Sequence, residues 1–444
     1  MNDRILNAKR AQVSVDGKTV GYLEKIASDE YRFAYDKTYL ASPDAIPLSL
    51  SLPIQNMPVV TEELPPFFDN LLMEGRALRQ MNREHGLDAR TKSDRFKLLL
   101  LSAKDTTGAV TIQALDEGGN VLPDETLPSE DPTAIVYETM HSAYAGHCPV
   151  CLKPGSIHPR CSTQLINSQM TMKIAVNEFD RQSTFRRLPL GASISGAQDK
   201  SLFKVTRGIF RPELPSTHIL KPEGDYTEMP ANEHLTMTIA RNNRFNVPAT
   251  GLFRVDGLGL IYVIKRFDRR VSGERILLED FAQILKYMES DKEDGSMEEI
   301  ATAIDTYASS PAIEKSDYFR RILFSFVFGN GDMHLKNWSM IYDSSSKLYK
   351  LSPVYDWLNV RASMPSEKVE MILPLGEQRT DFSRSDFEKF GLDILRLNKF
   401  IVQKTFLEVP TWVSKAKSLC AVSALSDAMK VRYIQIVEER SQRL

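Results

Sequence analysis

The chain opens with short alternating runs of apolar and polar residues. VSVDGKTVGYL turns around Asp16-Gly17, and Tyr31, Phe33 and Tyr35 then alternate with Arg32 and Asp36, which predicts antiparallel strands. Further on the period changes. Phe67, Phe68, Leu71, Leu72 and Leu78 fall near helical spacing, Gly86 offers a stop, and Ser93 is the expected cap of a second helix through Leu101. Residues 1–115 therefore read as a small α+β subdomain. DEGGNVLPDETLPSEDP is acidic, rich in Pro and Gly and free of apolar period, so 116–143 reads as a linker. Strand-like segments return at 209–221 and 252–267, and after Asp280 the chain is largely helical. There Phe319, Ile322, Leu323, Phe326 and Val327 recur at i, i+3, i+4, i+7 and i+8, the apolar face of a helix with Ser316 as its expected cap. This predicts a strand-rich small lobe over 166–268 leading into a helical large lobe over 269–444, an order common among phosphotransferases.

Composition narrows the function classes. With 444 residues, two or three domains are expected. The 56 basic and 58 acidic side chains balance, which argues against binding nucleic acid by bulk charge. The longest apolar runs, such as Leu98 to Leu101, are too short to span a membrane, and MNDRILNAKR lacks the apolar stretch of a secretion signal, so the expectation is a cytoplasmic protein. Four cysteines in so long a chain do not make a disulfide framework. Three of them cluster in HCPVCLKPGSIHPRC, where Cys148, Cys151, His158 and Cys161 have the spacing of a closed, structural zinc site over 144–165. A redox CxxC pair and incidental free thiols are the alternatives. His147 is a spare candidate ligand, and Cys420 stands alone.

GNGDMHLKNWSM, following the helix around Phe319, carries the densest chemistry. Asp332 precedes Asn337 by five positions, the separation at which a kinase places its hydroxyl-activating Asp and a Mg²⁺-holding Asn. About twenty residues on, in KLYKLSPVYDWL, Asp356 is placed to bridge nucleotide phosphates through Mg²⁺. Upstream, THILKP puts Lys221 at the end of a short strand, and Pro230 opens a helix whose Glu233 can pair with it. Taken alone, each is an ordinary polar turn or surface pair. In GLIYVIKRFDRR the backbone of Lys265 to Phe267 can meet an adenine ring. GASISGAQDK precedes the Lys221 strand, where Gly196 and Ala197 allow close approach to phosphates and Gln198 and Lys200 offer polar contacts.

The ordered set SISGAQDK, HILKP, IKRFDRR, LEDFAQIL, GNGDMHLKNWSM and LSPVYDWL, with PLSLSLP, FFDNLLMEG and DRFKLLLLSAKDTTGAV before it, resembles the HipA family of bacterial serine/threonine kinases over most of the chain. The resemblance implies an α+β, protein-kinase-like two-lobed fold with an appended N-terminal subdomain. It implies Asp332 as catalytic base, Asn337 and Asp356 as Mg²⁺ ligands, and Lys221 on the ATP phosphates. Lys265, Arg266 and Phe267 fall at the adenine hinge; Ser195, Gly196, Ala197, Gln198, Lys200, His334 and Tyr355 fall with the other nucleotide-binding residues. It also implies autophosphorylation of the loop at Ser193, with Ser195 a second candidate in an SIS sequence similar to the subgroup called HipT, whose N-terminal subdomain is a separate protein. The expected partners are a HipB-like helix-turn-helix antitoxin, DNA mainly through that antitoxin, and a translation protein such as an aminoacyl-tRNA synthetase as substrate. A catalytically silent corepressor acting with the antitoxin, or a small-molecule kinase, would use the same core. The Cys/His insert is absent from the best-known member of the family.

Overall fold

A computed structural model of the chain describes residues 3–27, 30–123, 135–178, 180–181, 185, 193, 198–224, 226, 228–366 and 368–444. In the N-terminal part, β1 (Arg10–Val15), β2 (Lys18–Ala27), β3 (Glu30–Tyr35), β4 (Val59–Thr61) and β5 (Val110–Leu115) form an antiparallel sheet in the order β4-β3-β2-β1-β5. Asp16 and Gly17 both adopt positive φ (46° and 79°), the geometry that closes a two-residue hairpin with the right twist, and Val15 pairs with Lys18. The buried face, with Val13, Leu23, Tyr31 and Phe33, packs on Phe67, Phe68, Phe96 and Leu99.

The helical run from Phe67 is broken. Helices Pro66–Asp69 and Gly75–His85 leave 70–74 between them, and Gly86 (φ 64°) ends the second. The next helix, Lys92–Ser102, is capped by Thr91, whose side chain accepts from the Asp94 amide, and not by Ser93. Ser93 lies in the first turn and accepts from Lys25 Nζ at 2.7 Å.

The second sheet has eight strands: β6 (Ile135–Thr139), β7 (His141–Ser142), β8 (Lys173–Asn177), β9 (Ser201–Thr206), β10 (Ile209–Arg211), β11 (His218–Pro222), β12 (Thr250–Val255) and β13 (Gly259–Lys265). Their order, β6-β8-β10-β9-β11-β13-β12-β7, puts the stretch read as the end of a linker at both edges of the sheet. Residues 124–134 of that stretch lie outside the described set. Helix Met229–Asn242, buried from Pro230 to Ala240, packs against β12 and β13.

The remainder is mostly helical, built on Met297–Tyr307, Pro311–Val327, Lys399–Ala421 and Asp427–Ser441, and also holds a small sheet of β14 (Leu278–Asp280), β15 (Ser339–Asp343) and β16 (Leu348–Leu351). All five residues of the apolar face around Phe319 are buried. That helix starts earlier than expected. Ser310 occupies the cap position, with Pro311 preset for the first turn, and Ser316 lies inside the helix. Among the described residues no helix is long and apolar enough to cross a membrane.

Candidate active site between the lobes

The cleft is organised around one buried lysine. Strand β11 carries Lys221, and its Nζ donates to both carboxylate oxygens of Glu233 at 2.8 and 2.9 Å. Glu233 projects from the first turns of helix Met229–Asn242, which Pro230 helps to start. The same ammonium bonds Asp356, on the loop after β16. Asp356 is held at φ 54°, a backbone region that non-glycine residues rarely enter and that clusters at functional sites. Burial opposes the Lys221 charge, but Asp356 and Glu233 together outweigh it and raise its pKa. Burial likewise opposes the Asp356 carboxylate, yet Lys221 and Lys200 hold it well below the usual range. Glu233 lies deeper, and burial pushes it up to about 7 against the pull of Lys221.

The loop after helix Pro311–Val327 forms the facing wall. Asn337 Nδ2 donates to the Asp332 carbonyl at 2.6 Å, tying the two ends of the loop together. The Asp332 side chain is exposed at the cleft mouth, but protein crowds around its carboxyl, and that desolvation with the charge of Asp356 pushes it up to about 7. His334 is buried and brought down to about 4 by that burial, so its imidazole is neutral at pH 7. Among the described residues its Nδ1 has no hydrogen-bond partner, and neither has the buried Nε2 of Gln198.

Two contiguous cavities meet here and share Lys200, Lys221, Asn337 and Asp356. The inner one is walled by Leu71, Ile219, Ile264, Phe267, Leu278 and Tyr355, surfaces that suit a flat ring; Phe267 and Tyr355 face each other at 5.9 Å between centroids. The outer one is the more polar of the two and gathers Gln198, Lys200, Asp332 and His334 with Arg76, Arg79 and Lys292. An apolar slot opening into a chamber with several cations and orphaned polar atoms matches a ring bearing a polyphosphate. Asn337 and Asp356 border both spaces and offer hard oxygen donors suited to Mg²⁺.

The hinge residues divide. Lys265 Nζ donates to the Gln164 carbonyl at 3.0 Å and Asn167 Oδ1 at 2.6 Å, and the Arg266 guanidinium bonds Asp268, Ser216 and the Thr106 carbonyl. Their side chains are engaged away from the pocket, which leaves backbone and the Phe267 ring to meet a ligand. Ser195, Gly196 and Ala197 lie outside the described residues. Ser193 is buried; its hydroxyl donates to the Leu71 carbonyl and its amide to the Asp105 carbonyl at 3.1 Å. Cys148, Cys151, His158 and Cys161 come together, and Cys420 is buried in the large-lobe core.

Sequence reasoning missed the contribution of the N-terminal domain. Asn70 and Leu71 line the inner cavity and Gly75, Arg76 and Arg79 the outer one. Glu74 pairs with Lys292 at 2.6 Å and Lys336 at 3.1 Å, and Arg76 pairs with Asp199 at 2.9 Å. The signal was the break in helical period at DNLLMEG, where Gly75 takes φ 62°.

Comparison with known proteins bears on this geometry. The family model described as HipA-like C-terminal domain matches residues 192–416, and that described as HipA N-terminal domain matches residues 11–113. A protein of Sinorhizobium fredii (strain NBRC 101917 / NGR234) that carries a kinase name, Y4dM, is 28% identical over 365 residues, 78% of this chain and 76% of that one. The serine/threonine-protein kinase toxin HipA of Shewanella oneidensis is 24% identical over 352 residues, 75% of this chain and 71% of that one. A solved structure from the Shewanella oneidensis MR-1 toxin–antitoxin system, HipA with HipB and operator DNA, matches with a TM-score of 0.70 at 19% identity, covering 98% of this chain and 97% of that one. The fold is shared over nearly the whole length, and the protein belongs to the HipA family of kinases.

Proposed function

We propose that the chain is an ATP- and Mg²⁺-dependent serine/threonine-protein kinase and the toxin of a toxin–antitoxin pair. The observation that carries this reading is the buried Lys221 clamped between Glu233 and Asp356, facing Asp332 and Asn337 across one cleft. Bound MgATP supplies the phosphoryl group and part of the charge that stabilises its transfer. The protein's own residues do the rest. Lys221 meets the phosphates, fixed by Glu233; Asn337 and Asp356 hold Mg²⁺; Asp332 accepts the proton of the attacking hydroxyl at its carboxylate. The backbone of Lys265 to Phe267 and the rings of Phe267 and Tyr355 receive the base, while Gln198, Lys200 and His334, with Ser195, Gly196 and Ala197, close around the phosphates.

Ser193 and Ser195 are the regulatory autophosphorylation sites in this reading. The Ser193 hydroxyl is bonded inside the seam with the N-terminal domain, so the loop must leave before it can be modified. A phosphate of nearly two charges then bars its return to that buried position. The partner is a HipB-like helix-turn-helix antitoxin that brings the near-neutral chain to DNA, and the substrate is a serine on a translation protein such as an aminoacyl-tRNA synthetase.

Incubation with Mg²⁺ and ATP, followed by intact and peptide mass spectrometry, tests the core of this reading. Phosphate is expected on Ser193 or Ser195 of the wild type, and Asp332→Asn should slow its appearance by about 10²–10⁴-fold. Equal phosphorylation of the variant removes Asp332 from its role. Nucleotide binding without transfer, to itself or to candidate synthetases, moves the protein to the corepressor class.

A further inference from the structure

We infer that Cys148, Cys151, His158 and Cys161 hold one structural zinc ion, and that the ion pins the strand leading from the small lobe into the nucleotide pocket. The four ligand atoms all lie within 4.8 Å of one another. Tetrahedral zinc, with bonds of about 2.0–2.3 Å, spaces its ligands by about 3.5–3.8 Å, and His158 Nδ1 lies 3.4 Å from Cys151 Sγ and 3.9 Å from Cys161 Sγ. The imidazole is also oriented for a metal. Its Nε2 donates to the Pro154 carbonyl at 3.2 Å, which leaves the Nδ1 lone pair facing the sulfurs.

The local backbone separates this site from a redox pair. Cys148 and Cys151 lie in a tight turn, closed by the Cys148 amide on the Lys153 carbonyl at 2.9 Å and the Leu152 amide on the Cys148 carbonyl at 3.0 Å. Leu152 (φ 59°) and Gly155 (φ 108°) complete the reversal. Neither cysteine opens a helix, and a disulfide between any two would strand the third thiol and the aimed histidine. Three thiolates with one imidazole select a soft tetrahedral ion and leave no coordination position open for chemistry.

The ion's reach follows from what the segment touches. Cys161 sits on helix Pro159–Ile166, whose Gln164 and Leu165 carbonyls, with the following Asn167, accept from Lys265 Nζ and from His218 Nε2 at 2.8 Å. Lys265 and His218 are register partners on β13 and β11, the strands beside the inner cavity. On the other side, the Pro149 and Val150 carbonyls accept from the Leu252 amide at 2.9 Å and the Arg241 guanidinium at 3.0 Å. A segment this short has little core of its own, so metal binding becomes folding energy here.

The test uses the full chain purified without an affinity tag. Elemental analysis should find one zinc per chain, released by a thiol-blocking mercurial, and Cys161→Ser should lose it. Hydrogen exchange of 218–222 and 259–265 should quicken about tenfold in that variant. Lys265→Met keeps the metal and the fold but cuts the tether, and should quicken exchange of β13 on its own. Zinc below about a tenth of an equivalent, a different metal, or a disulfide in the mass spectrum overturns the site. Full zinc with unchanged exchange in both variants overturns the pin. Neither readout requires kinase activity, so an inactive protein tests both.

Discussion

Two clusters of buried charge differ in a way that separates chemistry from architecture. At the seam between the N-terminal domain and the small lobe, Arg266 and Arg269 meet Asp268 and Asp105. Arg266 clasps Asp268 at 2.7 and 3.0 Å, Arg269 bonds Asp268 at 3.0 Å and Asp105 at 2.8 Å, and the Gly108 amide and Ser216 hydroxyl take up remaining carboxylate lone pairs. Among the described residues, Arg269 Nε alone in this cluster is left without a partner. Arg275 approaches Asp105 at 3.6 Å as well, so both carboxylates are fully countered by guanidiniums in contact. In the cleft, Lys221 pairs with both Glu233 and Asp356 with Lys200 nearby, Asp332 forms no ion pair among the described residues, and the buried Nδ1 of His334 and Nε2 of Gln198, on residues that line the outer cavity, lack partners there. Carboxylates short of partners beside a cavity point to a site for a charged ligand; carboxylates fully countered within a seam point to docking.

Removing Asp268 should have the largest effect on stability. Asp268→Ala leaves two guanidiniums buried, and arginine cannot shed its proton, so about 3–5 kcal/mol should be lost in chemical denaturation. Lys221→Met is the counterpart in the cleft. It leaves Glu233 without its paired cation and Asp356 with Lys200 alone nearby, but Glu233 is already pushed up to about 7 and can neutralise itself. Less than half the Asp268→Ala penalty is therefore expected, with phosphate transfer down about 10²–10³-fold. Equal loss of stability in the two variants would erase the distinction.

Activity against pH sharpens the cleft side further. If Asp332 accepts the proton, kcat/KM should fall about tenfold per unit below its pKa of about 7. His334, brought down to about 4, contributes nothing in that range. A profile flat from pH 5.5 to 8 would remove Asp332 as the base.

The same contrast explains what could be read from sequence. That Lys221, Glu233, Asp332, Asn337 and Asp356 come together was legible because each sits where a local pattern, a strand end, a helix start or the loop after a helix, fixes its place. The seam was not, since Asp105 meets Arg266 and Arg269 only through tertiary packing of segments far apart in the chain. Arg76 and Arg79 were hidden for the same reason, on a helix without buried residues. The early start of helix Pro311–Val327 was missed because 311–317 shows little of the apolar period that marks its later turns, and β6 because it adjoins a polar stretch and pairs only at the sheet's edge.

The smallest effect is also the most discriminating, because the two aspartates should respond to pH with opposite sign. Burial works against the Asp268 carboxylate, but Arg266 and Arg269 hold its folded pKa well below the ordinary value. Its stabilisation is therefore present above the ordinary carboxylate pKa and drains away only in acid. Asp332 runs the other way. Its folded pKa of about 7 lies above the ordinary 3.8, so the folded protein binds this proton more tightly than the unfolded chain, and stability is lost as pH rises through 7. Asp332→Asn removes a carboxylate that the fold holds at a cost, and should raise Tm at pH 8 with a gain that shrinks toward pH 5. Asp268→Asn should lower Tm most at pH 8 and least in acid. If Asp332→Asn instead lowered Tm at pH 8, the carboxylate would be part of the scaffold, and the cleft would be built like the seam.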